Sequence, residues 1–205
     1  MIVKVCGMRE PENIRAVEEA GADYIGFICY ERSPRYVAGI PAWLPHSSKR
    51  VGVFVNADRD YILRRRDELQ LDWVQLHGHE TPDFCHGLKE KGMQVIKAFA
   101  LDRPADIEQV LPYEDVCDLF LFDTPCAGYG GSGKCFDWSL LNAYQQHTPF
   151  LLSGGLNGGS LEPLSAFSHP AWAGIDLNSG FETAPACKDA NALRLFIEQF
   201  KRNCL

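Results

Sequence analysis

The chain has 205 residues, of which 46% are hydrophobic and 23% charged, a balance that suits one globular domain spanning residues 1–205. Its formal net charge of −7 argues against nucleic acid as the main partner, because phosphate backbones need a basic face. No apolar stretch approaches the roughly 20 residues of a membrane span, and the first residues show no signal-peptide pattern, so we expect a cytoplasmic protein without membrane contact.

Short apolar runs recur along the whole chain. They are nearly continuous in apolar character rather than alternating, which is typical of parallel strands covered on both faces. In chain order the eight runs are 2–6, 24–28, 50–55, 73–76, 94–99, 119–123, 150–153 and 173–177. They are the predicted strands.

Segments with helical features separate most of these runs. In chain order they are 11–20, 58–71, 81–91, 106–111, 138–146, 161–167 and 189–200, with 106–111 and 138–146 the weaker ones. Repeated βα units predict a parallel sheet, and eight of them in one domain close into a (β/α)8 TIM barrel. A doubly wound open sheet is the alternative, although the last two units would be surplus to it.

Glycine-rich segments follow the seventh and eighth predicted strands. The first contains Gly154 and Gly155, and the second contains Asn178, Ser179 and Gly180. In this barrel class the active site lies at the C-terminal ends of the strands, and phosphate sites recur after strands seven and eight. Backbone N–H groups in such loops can surround a phosphate. We therefore predict a phosphate site, against the alternative of two tight turns.

Two residues at strand ends are candidates for proton transfer. Cys6 ends the first run, and Lys4 lies on the same face of that strand, where an ammonium can lower the pKa of a thiol. Asp123 ends the sixth run, where desolvation would keep some of the carboxyl protonated for use as a general acid. The alternatives are an inert core thiol for Cys6, a buried ion pair for Lys4 and a helix cap for Asp123.

Two loops carry further candidates. Arg35 follows Pro34, and its guanidinium could bind a carboxylate through two hydrogen bonds, against the alternative of a solvated loop arginine. Residues 128–134 hold four glycines and lack the spacing of a P-loop, so we predict a flap that excludes water.

The cysteine and histidine patterns do not predict a metal site or a disulfide framework. Eight cysteines occur without a CxxC pair or regular spacing. The side chains of His77, His79, Glu80 and Asp83 could be metal ligands, but the sequence has no second group of such residues that would complete a metal site. We expect neither metal nor cofactor.

Several segments, taken together and in order, resemble the phosphoribosylanthranilate isomerases over essentially the whole chain. They are residues 4–8, 21–27, 33–37, 51–56, 74–78, 122–123, 130–134, 136–138, 153–157 and 174–182. The resemblance implies an Amadori rearrangement of N-(5′-phosphoribosyl)anthranilate to 1-(2-carboxyphenylamino)-1-deoxyribulose 5-phosphate in tryptophan biosynthesis. The partner would be this small phosphorylated substrate, and the enzyme a monomer or homodimer.

The resemblance also implies a role for each candidate residue. Asp123 would protonate the furanose ring oxygen, and Cys6 would remove the C2′ proton. Arg35 would bind the anthranilate carboxylate. His77 and Asp176 would belong to the substrate-binding residues, although Asp176 could instead anchor the eighth strand. The phosphate would be held by Gly154, Gly155, Asn178, Ser179 and Gly180.

Three other functions stay open at this point. The related isomerase of histidine biosynthesis runs the same chemistry with a carboxylate base on strand one, where this chain has Cys6. A pentulose-phosphate epimerase would need His and Asp metal ligands at strand ends. A non-enzymatic barrel that binds a phosphorylated ligand would have no need for a thiol opposite a carboxyl group.

Overall fold

The computed structural model describes residues 1–123 and 138–204, and its main feature is a closed barrel of eight parallel strands. The strands follow one another in sequence order, and β8 pairs with β1 to complete the ring. They are β1 (Ile2–Cys6), β2 (Tyr24–Ile28), β3 (Lys49–Phe54), β4 (Trp73–Leu76), β5 (Gln94–Ala100), β6 (Leu119–Asp123), β7 (Phe150–Ser153) and β8 (Trp172–Leu177). The predicted barrel is confirmed, because each strand has two hydrogen-bonded neighbours.

The α-helices in the described part of the chain overlap the predicted helical segments. They are α1 (Pro11–Glu19), α2 (Arg59–Leu69), α3 (Pro82–Lys89), α4 (Leu161–Ala166) and α5 (Ala190–Asn203). Asp58, Thr81 and Asp189 each accept a backbone hydrogen bond from the first turn of the following helix. No helix among the described residues has the length and apolar character needed to cross a membrane.

In the described residues, three connections between barrel strands contain no α-helix. Described residues 29–48, which connect β2 to β3, contain no helix. The connection after β5 is a 3-10 helix, Pro104–Tyr113, and a second one, Trp138–Ala143, precedes β7. The weaker predicted helical segment at 106–111 lies within the first of these and is a 3-10 rather than an α-helix. The predicted helix at 138–146 is shorter than expected and also 3-10.

A small antiparallel hairpin after β8 was not predicted. It consists of β9 (Glu182–Ala184) and β10 (Cys187–Lys188), which pair only with each other. Strands of three and two residues are too short to show a periodic pattern. The hairpin matters because its first and last residues, Glu182 and Lys188, both point back to the top of the barrel, as their contacts with Arg35 and Asn178 show.

The barrel interior changes character from one end to the other. Alternate side chains of each strand point inward. At the N-terminal end these are apolar and form one buried cluster, here called the apolar layer, made of Val51, Ile96, Ala98, Leu119, Leu121 and Leu151. A separate and larger apolar core lies between the strands and the helices. The inward side chains nearer the C-terminal ends are mostly polar, and they surround a cavity.

Candidate active site

The cavity has a volume of about 300 Å³ and lies at the C-terminal ends of the barrel strands, where an active site was expected. Every sequence-predicted site residue except Arg35 lines it. These lining residues are Cys6, His77, Asp123, Gly154, Gly155, Asp176, Asn178, Ser179 and Gly180. The predicted flap at residues 128–134 lies outside the described residues.

Cys6 lies at the end of β1, and its side chain fits there because the neighbouring residue on β2, Gly26, has no side chain. The thiol is 4% exposed, and a Cβ at Gly26 of β2 would lie 2.9 Å from its sulfur. Burial raises the pKa of the Cys6 thiol, whereas the positive charge of Lys4 lowers it, the charge of Asp176 raises it and that of Lys188 lowers it. Lys4 thus lowers the pKa of the thiol as expected, but burial outweighs this contribution and the pKa of Cys6 is raised overall.

Lys4 fits both interpretations of its position in the sequence, namely a cation beside Cys6 and a member of a buried ion pair. Its side chain is fully buried and donates from Nζ to Asp176 Oδ1 over 2.8 Å. Burial alone would lower the pKa of Lys4, but the negative charge of Asp176 and the thiol of Cys6 outweigh this and raise it. Lys4 is thus a buried ion-pair member and a cation beside the candidate base.

Asp123 lies at the end of β6, and His77 faces it from the end of β4. His77 Nε2 is 3.5 Å from Asp123 Oδ2, and the two side chains are 37% and 38% exposed. The expected desolvation of Asp123 is therefore incomplete. Gln75 Nε2 lies 3.0 Å from His77 Nδ1, so the amide of Gln75 fixes the orientation of the imidazole ring that faces Asp123. Sequence reasoning missed Gln75, although its inward position on β4 is predictable from strand alternation.

The loops after β7 and β8 lie against each other. Gly154 and Gly155 both adopt positive φ, at 98° and 60°. A 3-10 turn, Gly158–Ser160, follows the first loop, and another, Ser179–Phe181, follows β8. A Cβ at Gly180 would overlap the carbonyl oxygen of Leu156. Glycine thus lets the two loops touch, and residues of both loops line the cavity.

Arg35 is not among the residues that line the cavity and lies beside it, against Gly7. Its aliphatic stem packs on Gly7, where a Cβ would lie 2.6 Å from Arg35 Cδ and where φ is +78°. The guanidinium donates to Glu182 from Nε over 2.7 Å and from Nη2 over 2.5 Å. Lys188 also donates to Glu182, over 2.6 Å. We call Arg35, Glu182, Lys188 and Asn178 the Arg35 cluster.

Residues 77–83, which the sequence offered as possible metal ligands, include a carboxylate that binds protein groups instead. Glu80 accepts hydrogen bonds from the backbone N–H groups of Asn56 and Gly78 and pairs with buried Lys97. Among the described residues, no three His, Cys, Asp or Glu side chains are arranged to hold a metal ion. Glu80 therefore organises the loop after β4.

Comparison with known proteins decides what this cavity belongs to. A family model described as N-(5′-phosphoribosyl)anthranilate isomerase matches residues 3–199. The chain belongs to the N-(5′-phosphoribosyl)anthranilate isomerase family. A curated isomerase of that name from Phocaeicola vulgatus is 57% identical, and the match covers 98% of each chain.

Solved isomerases of the family share the fold over the same length. One crystal structure holds reduced 1-(o-carboxyphenylamino)-1-deoxyribulose 5-phosphate and matches with a TM-score of 0.85 at 34% identity, covering 98% of this chain and 100% of that one. Another, described as monomers of the dimeric Thermotoga maritima isomerase, matches with a TM-score of 0.81 at 33% identity over 98% and 100% of the chains. This protein is thus an isomerase of tryptophan biosynthesis with a phosphorylated substrate, which decides against a non-enzymatic binding barrel.

Gly180 provides a first test of the loops in this isomerase. We expect Gly180→Ala to lower kcat/KM by about a hundredfold, because its methyl group pushes the two loops apart and a misplacement on the order of 1 Å can cost that much. The measurement is steady-state turnover of N-(5′-phosphoribosyl)anthranilate.

A matched control is Gly39→Ala, because a Cβ at Gly39 meets nothing within 4 Å. This variant should turn over substrate like the parent. A Gly180→Ala variant with parental kcat/KM would show that the contact with Leu156 does not position substrate.

Proposed function

We propose that Cys6 is the general base and Asp123 the general acid of the isomerisation. The observation that carries this proposal is that the thiol and the carboxylate line one cavity from strands β1 and β6, which are separated by β7 and β8 on the shorter way around the ring. A substrate between them can receive a proton on one side and lose one on the other.

The proton transfers follow the order of an Amadori rearrangement. Asp123 gives a proton to the furanose ring oxygen, and the C1′–oxygen bond breaks to leave a Schiff base with the anthranilate nitrogen. Cys6, as thiolate, takes the proton from C2′, and its electron pair forms the enolamine. Tautomerisation to the ketone yields 1-(2-carboxyphenylamino)-1-deoxyribulose 5-phosphate. The side chains of His77 and Asp176 act on this centre through their contacts with Asp123 and Lys4.

The two ends of the substrate are assigned to two separate regions. Gly154, Gly155, Asn178, Ser179 and Gly180 hold the phosphate through the loops after β7 and β8, which the glycine geometry and their place in the barrel support. Arg35 receives the anthranilate carboxylate. Its position beside Gly7, directly after the candidate base, supports this assignment. His77 and Asp176 as direct substrate ligands stay predictions.

Fluorescence decay of freshly formed N-(5′-phosphoribosyl)anthranilate tests both this function and the assignment of Arg35 to the carboxylate of the substrate. We expect the parent to convert the substrate, and Arg35→Met to raise KM by about tenfold or more, because a charged hydrogen-bonding partner of the carboxylate is lost. Arg66→Met serves as a control, since Arg66 pairs with Asp67 on α2. A parental KM in Arg35→Met would contradict the carboxylate assignment.

Two further expectations stay predictions. The cytoplasmic location rests on sequence features alone. The protein acts as a monomer or as a homodimer, and the dimeric form described for the Thermotoga maritima relative supports the second state. Analytical ultracentrifugation distinguishes the two.

A further inference from the structure

Gln75 is a buried amide in the inner wall of the barrel to which the assigned mechanism gives no role. The residue is 1% exposed and lines the cavity. In the sheet register it lies between Val53 of β3 and Ile96 of β5, whose side chains are apolar and buried. An apolar side chain would suit this place in the wall better, because burying an amide costs free energy unless its hydrogen bonds are made.

The hydrogen bonding of this amide is only half complete. Its Nε2 lies 3.0 Å from Nδ1 of His77, whereas its Oε1 is buried and has no hydrogen-bond partner among the described residues. Two other buried side-chain atoms in the described part of the chain share this condition, Arg65 Nε and Trp138 Nε1, and neither residue lines the cavity. An unpartnered buried amide oxygen destabilises a fold. Packing alone therefore does not account for a glutamine at this position.

The partner of Gln75 is the imidazole ring that faces the candidate acid. His77 Nε2 is 3.5 Å from Asp123 Oδ2, and the side chain of His77 is 37% exposed. A ring this exposed can turn about its χ2 bond unless a contact fixes it, and turning it over would place carbon atoms where the two nitrogens lie. Once Asp123 has given its proton to the substrate it is a carboxylate, and an N–H directed at it stabilises that charge.

We propose that Gln75 is a positioning residue for the acid step: its amide N–H donates to Nδ1 of His77 and so holds the ring with an Nε2–H directed at Asp123. A donor at Nδ1 leaves the proton of a neutral imidazole on Nε2. The unpartnered oxygen is the cost of keeping this donor in place. Gln75 acts through His77 and not on the substrate. This inference rests on the proposed role of Asp123 as the acid.

Replacing Gln75 with methionine should raise stability and lower activity, two effects of opposite sign. Methionine fills nearly the same volume without the unpartnered oxygen, so we expect Tm to rise by about 2 °C. The ring of His77 loses its anchor, so kcat should fall by about tenfold while KM stays within about twofold. Thermal unfolding and turnover of N-(5′-phosphoribosyl)anthranilate measure these effects. A fall in both Tm and kcat, a parental kcat, or a raised KM at parental kcat each overturns the proposal.

Two further variants control for the substitution and test its route. Gln94→Met makes the same change at an exposed position, the first residue of β5, and should leave Tm and kcat at the parental values. In a His77→Ala background, Gln75→Met should change kcat by less than about twofold, because both residues act in one chain of contacts. Losses that multiply would show that Gln75 acts independently of His77 and would overturn the proposal.

Nitrogen NMR of the isotopically labelled protein reads the ring of His77 directly, with its signals assigned by their loss in His77→Ala. We expect neutral His77 to carry its proton on Nε2 in the parent and to become a mixture of both tautomers in Gln75→Met. A proton on Nδ1 in the parent overturns the proposed donation. Asp123→Asn keeps the two levels apart: if it turns over substrate at the parental rate, the acid role itself is refuted, whatever Gln75→Met does.

Discussion

Replacing Cys6 with alanine is expected to lower kcat by at least about a hundredfold, the lower end of what a general base contributes. Alanine fits the space beside Gly26 that the thiol occupies, so the fold should persist while the proton acceptor is gone. The measurement is fluorescence decay of the substrate at saturating concentration.

A second buried cysteine makes a matched control. Cys85 on α3 is 0% exposed and packs in the core outside the barrel. Cys85→Ala removes the same atom from a comparable environment, and it should retain parental kcat. If Cys6→Ala also turns over at the parental rate, Cys6 is not the base.

The parent's pH profile should carry the signature of the same thiol. A base works when deprotonated, so kcat/KM rises with pH through the pKa of Cys6 in the free enzyme. Burial raises that pKa, and Asp176 adds to the shift, whereas Lys4 and Lys188 oppose it. The rising limb should therefore lie above the ordinary thiol value of about 8.5, and Cys6→Ala should lack it.

Replacing Asp123 with asparagine is the second change with a large expected effect. The amide has nearly the same shape but no acidic proton for the ring oxygen, so kcat should fall by about a hundredfold or more. Turnover at saturating substrate measures this, and KM should change little because the shape is kept.

Asp118, at the opposite end of β6 from Asp123, provides the control for this substitution. Asp118 directly precedes β6, pairs with Lys89 over 2.9 Å and accepts from the N–H of Val95. Asp118→Asn should lower the melting temperature slightly and leave kcat unchanged. Parental kcat in Asp123→Asn would remove this residue from the acid role.

The sequence allowed the barrel and most of the cavity to be predicted for one physical reason. Eight parallel strands bring all their C-terminal ends to one face, so residues that end the apolar runs, such as Cys6 and Asp123, must meet there. The periodicity of a strand also put Lys4 on the same side as Cys6. Neither inference needed knowledge of a distant contact.

The parts that could not be predicted depend on such distant contacts. The Arg35–Glu182 pair joins residues 147 positions apart, and no local pattern shows that a guanidinium after β2 will meet a hairpin after β8. Burial was equally hidden: the presence of Lys4 suggested a depressed thiol pKa, but burial of the thiol, together with the negative charge of Asp176, raises the pKa of Cys6 overall. Local sequence also left the type of the helix at Pro104–Tyr113 open, although Pro112 near its end lacks the N–H for an α-helical bond.

The seam between the first and last barrel strands has a consequence for synthesis in the cell. Cys6 and Lys4 leave the ribosome long before Asp176, the partner of Lys4, which follows Lys4 by 172 positions. The seam bonds of β1 with β8 also wait for residues as late as Leu177. The nascent chain therefore carries Cys6 and Lys4 without Asp176 and Lys188 until β8 and the hairpin after it have been made, so the surroundings of the thiol are completed in one late step rather than strand by strand.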